Sequence, residues 1–85
     1  MILRNRVITS MNPQMYILAC KQDNDDPKKQ ICLLNPVGEE PKYSLWNVEY
    51  IDEERFRMTP YKGNDSVELI DELLDVFVEH AHEVL

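Results

Sequence analysis

Apolar and polar positions along this chain follow two rhythms. Up to about residue 62 they change at the short intervals of extended strands; from Asp65 onward they recur at threes and fours. Residues 15–20 (MYILAC) form a near-continuous apolar run, the pattern of a central strand buried on both faces. Residues 22–29 are polar throughout and hold Pro27, which predicts a loop. Residues 31–34 (ICLL) then supply a second buried strand, and the two runs around one loop predict a hairpin. A further loop follows between Pro36 and Pro41. Residues 43–51 alternate, with Trp46, Val48 and Tyr50 on one face and Leu45, Asn47, Glu49 and Ile51 on the other. A charged turn over 52–55 leads into residues 56–61, where Phe56 and Met58 oppose Arg55 and Arg57 and Pro60 confines the strand to an edge or its end. Residues 2–9 predict a first strand with Arg4 and Arg6 toward water, joined to the next by a turn at Pro13.

The remainder predicts one helix over 65–85. Asp65 and Glu68 have the spacing of a capping box, and an acid there suits the positive end of the helix dipole. Val67, Ile70, Leu74, Phe77, Ala81 and Val84 make an apolar stripe widened by Leu73. A second line, Leu69, Leu73 and Val76, lies beside it, with Val78 and Leu85 adding breadth. Either sheet curvature and loops bury this second line, or it meets a partner or a symmetry mate. Strands followed by a helix predict an α+β fold: an antiparallel sheet of four to five strands with a long C-terminal helix on one face, in a single domain spanning 1–85.

Charge sharpens this picture at one place. The chain has a net charge of -7, and residues 65–85 carry seven acids with no Lys or Arg, so the rest sums to zero. Glu68, Asp71, Glu72, Asp75, Glu79 and Glu83 line one side of the predicted helix. Surface helices ordinarily intersperse signs, because like charges at i,i+4, such as Asp75–Glu79 and Glu79–Glu83, cost about 0.2–0.5 kcal/mol each. A basic partner would offset that cost; so would the chain's own Arg4, Arg6, Arg55 and Arg57. An acidic balance disfavours direct contact with nucleic acid or with anionic membranes. With two cysteines and no apolar run suited to a leader, the expected setting is reducing and cytoplasmic.

The remaining chemistry is sparse. Cys20 and Cys32 are read as buried and reduced. Pairing Lys21 with Gln30 would set Cys20 opposite Ile31; a slip of one residue would set it opposite Cys32. His80 and His82 diverge by about 200° on a helix and do not match the two-histidine spacing of a zinc protease, so they read as helix-end histidines. The acids of residues 23–26 lack the glycine of a calcium loop, and Pro27 occupies a ligand position. Trp46 and Tyr50 are either a binding platform or core. No catalytic motif, metal set or cofactor site emerges. The expectation is a small, non-enzymatic protein-binding module, of the kind seen in inhibitors, immunity proteins or phage and mobile-element proteins. Its acid face would dock a basic protein surface, and the line Leu69, Leu73, Val76 would add apolar contact or close a homodimer. The alternative is a structural subunit or homodimer whose acidic helix confers solubility.

Overall fold

A computed structural model describes the backbone of residues 6–38 and 40–84 and the side chains of 7–38 and 40–80. It contains strands β1 (Arg6–Ile8), β2 (Met15–Gln22), β3 (Lys29–Pro36), β4 (Ser44–Tyr50) and β5 (Phe56–Pro60), then helix α1 (Ser66–Val84). The strands form one antiparallel meander in the order β1-β2-β3-β4-β5. The sheet is curled, and the helix lies on one side of it, as the α+β expectation requires. Of the predicted first strand, Ile2, Leu3 and Arg4 lie outside the described residues, and β1 covers its last part.

Two strands run further than their apolar residues. β2 continues through Lys21 and Gln22, and β3 begins at Lys29 and Gln30. Polar side chains hold this extension. The Gln22 amide donates to the carbonyls of Pro27 and Lys29, both at 2.9 Å, and the Asp23 amide donates to Lys29 at 3.0 Å. The connecting loop is therefore shorter than the polar run, because a glutamine can close a turn from inside a strand. The charged turn between β4 and β5 is fastened the same way: Asp52 accepts from the Glu54 and Arg55 amides and pairs with the Arg55 guanidinium at 2.6 Å.

Alternation sorts the side chains into two cores. Ile8, Met15, Ile17, Cys32, Leu34 and Val48 pack together on the face away from the helix, walled by Met11, Cys20, Trp46, Tyr50, Phe56 and Met58. Among the described residues no helix covers this face; the curl and the large rim side chains bury it, leaving Ile17, Cys32, Leu34 and Val48 with no exposure. Trp46 and Tyr50 thus belong to the wall of this core, and do not pack under the helix.

Ala19, Leu33 and Leu45 form the other core with Leu69 and Leu73 of α1. The helix rests mainly on β2, touches β3 and β4, and makes no contact with β5. A β-bulge between Ile17 and Ala19 inserts one residue into β2. Leu18 and Ala19 consequently share the helix side, and the small Ala19 side chain lets the helix approach closely.

Candidate functional site

The helix begins where the sequence places its cap. Asp65 accepts the first helical bond, from the Leu69 amide at 2.9 Å. Its carboxylate, however, receives the Tyr61 phenol, and no side-chain bond to Glu68 closes a capping box. The Ser66 hydroxyl donates to the Gly63 carbonyl at 2.6 Å. Tyr61 crosses directly over Gly63, where any Cβ would collide with the phenol ring and the Asp65 carboxylate. That close approach explains a glycine at this position. Donation to Asp65 raises the Tyr61 phenol above its ordinary pKa.

This docking fixes the rotation of α1. Leu69 and Leu73 are 6% and 1% exposed, and Ile70, Val76, Phe77 and His80 are half-buried around them. The expected partner line of Leu69, Leu73 and Val76 is therefore corrected: its two leucines face the sheet, in contact with Ala19, Leu33 and Leu45. The stripe expected to face the core rotates outward at its start, since Val67 is 70% exposed. Val78 is 50% exposed, and Leu74 is half-buried and packs in part against the core, so Val67, Val78 and the outer side of Leu74 form the helix's accessible apolar strip. At about 100° per residue they lie within about 40° of one another.

Next to that strip run the carboxylates. Glu68, Asp71, Glu72, Asp75 and Glu79 are all exposed; the Glu83 side chain lies outside the described residues. Lys21 of β2 reaches across to Glu72, its Nζ 3.2 Å from both carboxylate oxygens. Among the described residues, no Lys or Arg comes within 4.0 Å of Glu68, Asp71, Asp75 or Glu79. Neither arginine whose side chain is described supplies the missing charge. Arg55 is held by Asp52 in its own turn, and Arg57 lies on β5, which the helix does not touch. Arg4 and the Arg6 side chain lie outside the described residues.

The other candidates separate clearly. His80 packs on the sheet-facing side of α1, the His82 side chain lies outside the described residues, and no three His, Cys, Asp or Glu among the described residues converge as a metal site would require. Asp23, Asn47, Glu49, Arg57 and Thr59 border a depression of about 350 Å³ beyond the helix, with charges of both signs. No helix among the described residues is long and apolar enough to cross a membrane. Cys20 and Cys32 sit opposite each other on β2 and β3 with their thiols in contact, Sγ to Sγ 2.6 Å. The hydrogen bond with the Cys20 thiol, and then burial, push the Cys32 thiol up from its ordinary pKa. Compared with protein-family models, curated proteins and solved structures, the chain matches none.

Proposed function

We propose that this protein is a binding module for another protein, and that the outer side of α1 is the surface it presents. The observation that carries this reading is the row Asp71, Asp75 and Glu79: three exposed carboxylates spaced by four on one helix, with no Lys or Arg of the described residues within 4.0 Å. Such a row repels itself and holds a field of one sign, which a basic surface would neutralise. The strip Val67, Leu74 and Val78 adjoins the row and supplies apolar area for the same contact. Recognition by a helix face requires no cofactor and no catalytic group. An inhibitor or immunity-type role is one form such a module takes.

The test is affinity capture from the source organism with the intact protein and with a Asp71→Lys, Asp75→Lys variant, each at low and high salt. The expected result is a partner with a basic surface, held by the intact protein, weakened by salt and lost from the variant while its circular dichroism and Tm stay those of a folded protein. Equal capture by both proteins would overturn the proposal.

A second reading is favoured by the exposure of Val67 and Val78: the same apolar strip closes a homodimer, with the acids left as its solvated rim. Light scattering distinguishes it. A dimeric mass that Val78→Glu reduces to that of a monomer supports the homodimer, and a monomeric mass at high concentration removes it.

A further inference from the structure

The bulge in β2 has a chemical consequence. Between Met15 and Ile17 the β2–β3 register pairs Ile17 with Leu34. Continued without interruption, that register would set Cys20 opposite Ile31, with the two sulfurs on opposite faces. The inserted residue at Leu18 shifts the pairing by one, and beyond it Ala19 meets Leu33 and Cys20 meets Cys32. One extra residue is thus what places the two thiols side by side.

The kind of pairing matters as much as the register. Asp23 donates to Lys29 one step beyond Gln22↔Gln30, so alternation makes Cys20↔Cys32 a non-hydrogen-bonded pair. The other side of β3 agrees independently. Tyr50 donates to the Lys28 carbonyl, which by the same alternation turns the Cys32 backbone toward Trp46 of β4 and leaves its β2 side unbonded. Non-hydrogen-bonded pairs bring Cα atoms to about 4.5 Å, within the span that a disulfide bridges.

We propose that Cys20 and Cys32 form a thiol–disulfide site that a small hydroperoxide oxidises without rearrangement of the strands. Cys20 is the half-buried member and Cys32 has no exposure, so the oxidant reaches Cys20 first. The Cys20 thiolate attacks one peroxide oxygen and breaks the O–O bond, giving a sulfenic acid and, with hydrogen peroxide as oxidant, hydroxide, which is protonated to water. The Cys32 sulfur then attacks the Cys20 sulfur and expels the sulfenic oxygen as a second water, taking up the proton that Cys32 loses. In sum, two thiols are oxidised to one disulfide while one hydrogen peroxide is reduced to two waters. The element affected is the β2–β3 pair, which lies under α1 together with β4 and carries Ala19 and Leu33. The site therefore links the redox state of the surroundings to the part of the sheet on which the helix rests.

The experiment treats the full chain with hydrogen peroxide, quenches with acid, alkylates under denaturing conditions and weighs the product. Reduced protein accepts two alkyl groups. Oxidised protein is expected to accept none, to lose two hydrogen atoms at the mass of one chain, and to regain both thiols with dithiothreitol. Trp46, the single tryptophan and the β4 neighbour of Cys32, provides a second reading: its fluorescence is expected to fall on oxidation and recover on reduction. Cys20→Ser, which alters the half-buried member and spares the buried one, is expected to stay folded and to lose both responses. Thiols that stay fully alkylatable, oxidation of Cys20 beyond the sulfenic state without a Cys20–Cys32 link, or a disulfide formed only between chains would each overturn the proposal.

Discussion

Replacing Leu73 by Ala tests how α1 is seated. Leu73 is 1% exposed and packs among Ala19, Leu33, Leu45 and Leu69, so truncation removes buried methyl and methylene groups and leaves a cavity beneath the helix. Buried Leu→Ala changes cost about 2–5 kcal/mol, and helix propensity returns at most a few tenths. An 85-residue protein is stabilised by about 4–13 kcal/mol in total, so this one change removes a large share. Val67→Ala is the paired control. Val67 is 70% exposed, so its truncation leaves no cavity, and exchanging a β-branched residue for Ala in a helix is neutral to favourable by up to about 0.5 kcal/mol. Urea unfolding followed by circular dichroism separates the two: a loss near 3 kcal/mol lowers the midpoint by about 1–3 M for Leu73→Ala. The Val67→Ala midpoint should stay in place or rise. Had the helix been seated on Val67, Ile70, Leu74 and Phe77, Val67→Ala would be the costly change. Equal losses from the two variants, or a larger one from Val67→Ala, would refute the seating and with it the outward position of the acids.

Further outcomes follow from the same geometry. Asp75→Lys turns two repulsive i,i+4 pairs, Asp71–Asp75 and Asp75–Glu79, into attractive ones; it should stabilise the fold by about 1 kcal/mol at low salt and by less at high salt, and a lowered Tm at low salt would contradict an unpaired acid row. The Tyr61 phenol is raised above 10.0 by donation to Asp65, so its contribution to stability is complete below pH 10.0 and is lost as the pH climbs through the raised value. Asp65→Asn should bring the Tyr61 ring signals in NMR to titrate at lower pH, nearer 10.0, and an unmoved titration would break the link between this pair and the start of the helix.

The strands were legible where burial alternates, and the helix where it does not. Trp46, Val48 and Tyr50 do share one face of β4, and Phe56 and Met58 join them from β5. What could not be read was decided by contacts between elements. The Leu18 bulge carries no glycine and no polar marker, so the register that joins Cys20 to Cys32 is not written in the local pattern. The apolar arc of the helix, from Val76 round to Val78, spans about 200°, wider than one sheet can cover, and periodicity alone cannot say which half turns inward. Lys21 meeting Glu72 marks the edge that was drawn toward β2. The acid row itself was plain, because charge of one sign on consecutive turns is a property of the sequence.

The division of the core bears on why the row exists. The face away from the helix buries Ile17, Cys32, Leu34 and Val48 by curling, without help from α1. The helix is 19 residues long, yet among its described side chains only Leu69 and Leu73 are buried. An element kept solely to complete a core would need fewer turns and would gain from interspersed lysines, as Asp75→Lys is expected to demonstrate. Leu69 and Leu73, with Ile70, Leu74, Val76 and Phe77 packed around them, hold α1 in place, and its outer side carries like charges that weaken the helix on their own. That combination is costly for a solubilising surface, which mixed charge would serve as well. It is economical for a surface whose charge is completed by a basic partner, and this reasoning favours the binding module over the solvated structural subunit.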